Sequence, residues 1–121
     1  RLPVAHLRNR AGRFISPMPY EIASAAASVM DSAPSGADLR VSLVNAPGAQ
    51  AYPIASFTWL LLSPQRIGPG KTAQLVDFTR WAISDGGELA SGLGYVALPS
   101  ITSTRVLELL ETVSPSVDRR P

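Results

Sequence analysis

Hydrophobic and polar positions change period several times along this chain, and each change marks an element. Phe14-Ile15 is the apolar end of a short strand, after a turn at Asn9–Gly12. Ser16-Pro17 then reads as an N-cap and first helical position, opening an alanine-rich helix to about Met30. Ala23, Ala25, Ala26 and Ala27 favour that helix and let it pack close to a neighbour. Leu39, Val41 and Leu43 alternate with Arg40, Ser42 and Val44, which predicts a half-buried strand. Ile54–Leu62 predicts a longer strand, apolar on both faces in its second half, as a central strand between helices is. A helix from Thr72 places Leu75, Phe78 and Ala82 on one stripe, with Val76 and Ile83 beside it. Glu88–Leu93 is a short helix that Gly94 closes from the left-handed C′ position. The last helix, from Ser100, carries Val106, Leu107, Leu110 and Val113 and stops before Pro115. Strands with flanking helices make this an α/β chain.

Composition narrows the class. The 121 residues suffice for one domain with a core, and the 45% apolar content is that of a globular protein. The net charge of +2 does not compel a nucleic-acid partner, and none is expected. Arg1, Arg8, Arg10 and Arg13 all precede the first acid, Glu21, and read as a solvated face or a contact to further protein. The chain has no cysteine, which excludes disulfides and thiolate metal sites. It opens on Arg-Leu-Pro-Val, the expected look of a processed or excised piece, so targeting is not read from it.

Gly68-Pro69-Gly70-Lys71-Thr72 lies between a predicted strand and a predicted helix, the setting of a nucleotide phosphate loop. The first glycine of that pattern is Gln65 here, and Pro69 lacks an N–H that would cradle phosphate. The segment therefore reads as a loop and helix start, with Lys71 able to hold an anion only as a point charge. His6 is the only histidine, so the common zinc sets and a Ser-His-Asp triad find no partners. Asp77, Asp85, Glu88, Glu108 and Glu111 fall on helix faces as solvated charges. No catalytic constellation assembles, and the chain is expected to be no enzyme and to need no cofactor or metal.

Three stretches in order carry a resemblance. Leu2–Pro17 precedes the alanine-rich helix, and Ala51–Leu62 ("AYPIASFTWLLL") precedes Gly70–Gly86 ("GKTAQLVDFTRWAISDG"). Leu93–Pro99 ("LGYVALP") then leads into the closing helix. From about Leu2 to Val113 the chain closely resembles the C-terminal third of the periplasmic phosphate-binding protein of the phosphate ABC transporter. Ala97 departs from that family's usual proline, which touches linker stiffness only.

The resemblance implies a fragment of a two-lobed (type II) periplasmic binding protein that closes over one phosphate. It puts 1–50 in the second lobe, 51–55 in an interlobe crossover and 56–121 in the first lobe. Tyr52, Pro53 and Ile54 would be the hinge; Tyr52-Pro53 stiffens a junction between two strands of different surroundings. The family's Ser-Gly-Thr signature at a helix start is missing. Ser35-Gly36 is followed by Ala37, and Ser91-Gly92 by Leu93. The phosphate ligands are thus expected upstream of this chain. The implied partners are inorganic phosphate, through that upstream part, the upstream segment itself or a second copy of this chain, and the transporter's membrane permease. The implied location is periplasmic or extracellular, with a membrane anchor as an option. The alternative is a stand-alone interaction module of the same descent that binds no phosphate.

Overall fold

The computed structural model describes residues 3–34 and 38–113. Its first element is a two-stranded antiparallel hairpin, β1 (Leu7–Arg8) and β2 (Phe14–Ile15), with Leu7 opposite Ile15 and Arg8 opposite Phe14. The expected Asn9–Gly12 turn joins them. The Asn9 N–H donates to the Arg13 carbonyl at 2.8 Å, and the Gly12 N–H to the Asn9 carbonyl at 2.9 Å.

Helix α1 (Pro19–Ser32) begins two residues later than the Ser16-Pro17 signal predicts. The cause is the second proline. A residue before proline is pushed out of the helical region, and Met18 is extended, with φ −88° and ψ 158°. Pro19 therefore takes the first helical position and Met18 the N-cap, with no side-chain cap bond. Ala25, Ala26 and Met30 are the buried residues of α1.

The main core joins Ala25 and Ala26 to Leu43, Ala46, Ala51 and Ala55, with Ile22, Val29 and Phe57 packed against them. With alanines on both sides, backbones approach closely. At Gly48 a side chain would start 2.9 Å from the Cβ of Ser28 on α1, inside any real carbon–carbon contact.

Neither predicted strand, Leu39–Val44 nor Ile54–Leu62, joins a sheet; among the described residues β1 and β2 are the only strands. The reason is a lack of partners: a strand is held by ladder bonds to a neighbour, and these segments have none here. The facing read from the first pattern still holds. Arg40, Ser42 and Val44 are exposed, Leu39 and Val41 half-buried, and Leu43 buried.

A single helical turn, α2 (Pro64–Ile67), leads into α3 (Pro69–Ile83), which starts three residues before Thr72. The α3 stripe is rotated from its predicted phase. Thr72 and Val76 are buried, whereas Phe78 is 55% exposed and pairs with Trp81 at a ring separation of 5.9 Å. Helix α4 (Gly87–Gly92) ends as predicted on Gly94, with φ +82°. The Tyr95 N–H reaches the Ala90 carbonyl at 3.0 Å and the Gly94 N–H the Ser91 carbonyl at 3.2 Å, the two bonds of a Schellman cap.

Helix α5 (Ser100–Val113) packs on both α1 and α3. Of its predicted stripe, Leu110 is buried and Val106, Leu107 and Val113 are half-buried. No helix among the described residues is long and apolar enough to cross a membrane.

Candidate functional site

The predicted hinge residues sit in a loop held from several directions. Asn45, in the left-handed region at φ +52°, donates its N–H to the Pro53 carbonyl at 2.9 Å. The Ala51 N–H donates to Gly48 at 3.0 Å, and the Tyr52 N–H to the Glu21 carbonyl on α1 at 3.1 Å. From the hairpin, the Asn9 carboxamide donates to the carbonyls of Ala49 (3.0 Å) and Ala51 (3.2 Å). Its oxygen accepts from the Arg13 N–H at 3.0 Å. Asn9 is only 6% exposed, so a buried polar side chain with three bonds fastens this loop to the hairpin. Tyr52 and Pro53 are half-buried, while Ile54 is exposed.

The phosphate-loop look-alike does other work. The Thr72 hydroxyl donates to the Gly68 carbonyl at 2.7 Å, and the Thr72 N–H donates to the same oxygen at 3.0 Å. Thr72 is 1% exposed. Its hydroxyl, which a nucleotide site would turn to magnesium, closes the first turn of α3 instead. Lys71 beside it is exposed.

The remaining candidates stay apart. His6 is exposed, as are Asp77, Asp85, Glu88, Glu108 and Glu111. Glu111 pairs with Arg80 at 2.8 Å and ties α5 to α3 across an exposed surface. Among the described residues no three His, Cys, Asp or Glu side chains gather where they could hold a metal. Ser91-Gly92 ends α4 rather than opening a helix, and Ser35-Gly36 lies outside the described residues.

The Asp38–Arg40 pair is exposed and two residues apart. The Arg40 guanidinium, and then its backbone N–H, hydrogen-bond the Asp38 carboxylate and hold its pKa down to about 2. The same contact raises the pKa of Arg40.

Sequence reasoning missed a groove of about 720 Å³ beside residues 57–62, between α5 and the end of α1. Its lining is mostly apolar, with Trp59, Leu61 and Leu109 among it. Trp59, Leu60 and Leu61 are 48%, 55% and 90% exposed, and fully covering a leucine as exposed as Leu61 would contribute about 1.5–3 kcal/mol.

Two polar residues of α5 line the same groove. Arg105 donates through Nη2 to the Ala33 carbonyl at the end of α1, at 2.9 Å. Its Nη1 and the Oγ1 of Thr102 are buried without a hydrogen-bond partner among the described residues. The signal was present in the sequence: Thr102 and Arg105 are three apart, next to the apolar Val106 stripe.

Comparison with known proteins places this chain. No family model matches it, and no solved structure does. It is similar to the phosphate-binding protein PstS of Methanocaldococcus jannaschii, with 37% identity over 111 residues, 82% of this chain and 28% of that protein. PstS of Pasteurella multocida is 30% identical over 118 residues, 98% of this chain and 34% of that protein. PstS of Haemophilus influenzae is 31% identical over 94 residues, 78% of this chain and 28% of that protein. The chain thus spans between 28% and 34% of the length of these curated relatives. The 121 residues belong, over that stretch, to the family of the phosphate-binding protein PstS.

Proposed function

We propose that this chain is the C-terminal portion of a periplasmic substrate-binding protein that captures inorganic phosphate for uptake by an ABC transporter. The observation that carries this reading is the identity of 30% to 37% to phosphate-binding proteins over most of the chain. It acts as a binding protein rather than an enzyme, through the remainder of the receptor and with the transporter's membrane permease as partner. The phosphate ligands lie in that remainder, since the Ser-Gly-Thr signature has no counterpart here. Residues 1–50 contribute to the second lobe and 56–121 to the first, joined by the crossover 51–55. Tyr52, Pro53 and Ile54 act as its hinge, supported by the bonds that anchor the loop up to Pro53 and leave Ile54 exposed.

The test is a chimera in which this chain replaces the matching stretch of the Pasteurella multocida protein. Calorimetry should give micromolar phosphate binding, about −8 kcal/mol, with no heat from the 121 residues alone. Micromolar binding by the free chain would move the site to Lys71. No binding by the chimera would reject the reading.

A further inference from the structure

The loop 45–53 is fastened from one side only. Among the described residues its hydrogen-bond partners lie on the hairpin, on α1 or within the loop itself, and none lies beyond residue 55. Two features of Pro53 set where rotation can begin. Its ring locks φ, and its carbonyl accepts from the Asn45 N–H at 2.9 Å, which fixes the peptide plane that follows. The first torsions past that plane belong to Ile54. Asn9 has the longest reach of these fastenings, across 40 and 42 residues to the carbonyls of Ala49 and Ala51. Ala51 is 0% exposed, so water does not replace that donor when it is removed. Without Asn9 the loop still keeps the bonds from the Ala51 N–H to Gly48 and from the Tyr52 N–H to Glu21. It loosens rather than detaches.

Resting on the receptor reading above, we infer that Asn9 is a positioning residue for phosphate capture: it fixes the direction in which the chain leaves residues 1–50 for 56–121. It touches no ligand. It acts through Ala49 and Ala51, making the loop up to Pro53 one body with the hairpin and α1, and so narrows the hinge to its Ile54 end. With that body rigid, the two lobes sample few mutual orientations while no phosphate is bound. Loosening it widens the open ensemble and lowers the fraction of receptors poised to close. The apparent Kd rises in the same proportion.

The Pasteurella multocida chimera tests this, with spin labels on Asp31→Cys of α1 and Asp77→Cys of α3, both exposed positions. Pulsed electron resonance reads the distance between the labels, and calorimetry the Kd for inorganic phosphate. Asn9→Ala should widen the ligand-free distance distribution and leave the phosphate-bound one unchanged. It should raise Kd about 10-fold, for a tenfold fall in the closing-competent fraction. Asn9→Ser keeps one donor and should show both changes in smaller measure; it carries the test if Asn9→Ala does not fold. Leu110→Ala, which removes a buried side chain of α5, controls for lost stability alone. It should lower the melting temperature and change neither the distances nor Kd. A chimera that binds phosphate with distances and Kd unmoved by the Asn9 variants, or moved equally by Leu110→Ala, overturns the role of Asn9 and leaves the receptor reading standing. A distribution widened by Asn9→Ala in a chimera that binds no phosphate does the reverse. Failure of both rejects both.

Discussion

The side chain of Asn9 donates to the carbonyl of Ala51, 42 residues along the chain, at 3.2 Å. With its second donor bond to Ala49 and the bond it accepts from Arg13, this carboxamide has both donors used and its oxygen engaged. Asn9→Asp would put a carboxylate oxygen where the donor stands, against two carbonyls. The expected loss is about 1–3 kcal/mol, the range for a buried polar group stripped of its partner. A thermal melt checks it; an unchanged midpoint would mean the loop is held without Asn9.

Gly48 should tolerate no side chain. A Cβ there would sit 2.9 Å from Ser28 Cβ and 3.1 Å from its hydroxyl. Gly48→Ala is expected to cost about 1–3 kcal/mol by overpacking. Adding Ser28→Gly should recover part of that loss, because it removes the opposing atoms. A double variant no more stable than Gly48→Ala alone would place the cost elsewhere. Denaturant melts give both numbers.

ATP with magnesium should not stabilise the chain. Gln65 stands at the glycine position, and the Thr72 hydroxyl is committed to the Gly68 carbonyl at 2.7 Å. A melting shift of several degrees with millimolar ATP, abolished by Lys71→Ala, would sink this prediction.

The pH dependence at Asp38 has a definite sign. Its carboxyl is held at about 2, below the ordinary aspartate value, by hydrogen bonds from Arg40. A depressed carboxylate adds stability that is present above the ordinary value and lost as pH falls through about 2. The pair is exposed, so its effect on the melt should be small. An NMR titration reads it directly: the Asp38 midpoint should rise in Arg40→Ala but stay below about 3.9, because the N–H of residue 40 still donates to the carboxylate.

Helices and turns were legible because their causes are local. The Gly94 stop depends on glycine's access to positive φ, and the Asn9–Gly12 turn on residues within reach of one another. The start of α1 was misplaced because Pro17 was read alone, without what Pro19 imposes on Met18. The phase of α3 was misread because Phe78 is more apolar than Thr72, yet Thr72 satisfies its own hydroxyl within the first turn and can be buried. Sheet pairing was not legible, since it depends on residues that Leu39–Val44 and Ile54–Leu62 do not contain. The groove was missed for a similar reason: its walls come from segments far apart in the chain, as the bond from Arg105 to the Ala33 carbonyl, 72 residues earlier, illustrates.

That last bond has a consequence for synthesis. The end of α1 waits for a guanidinium that leaves the ribosome 72 residues later. At about 5–20 residues per second, the interval is roughly 4–14 s. Helix–coil relaxation takes about a microsecond, so α1 forms and melts many times before Arg105 arrives. During that interval the Ala33 carbonyl at the end of α1 lacks its guanidinium donor, although Leu43, Ala46, Ala51 and Ala55, which cover the alanine face, have already been made. Shape at this end of the molecule is therefore settled late, by a residue near the close of translation of this stretch rather than by the helix it secures.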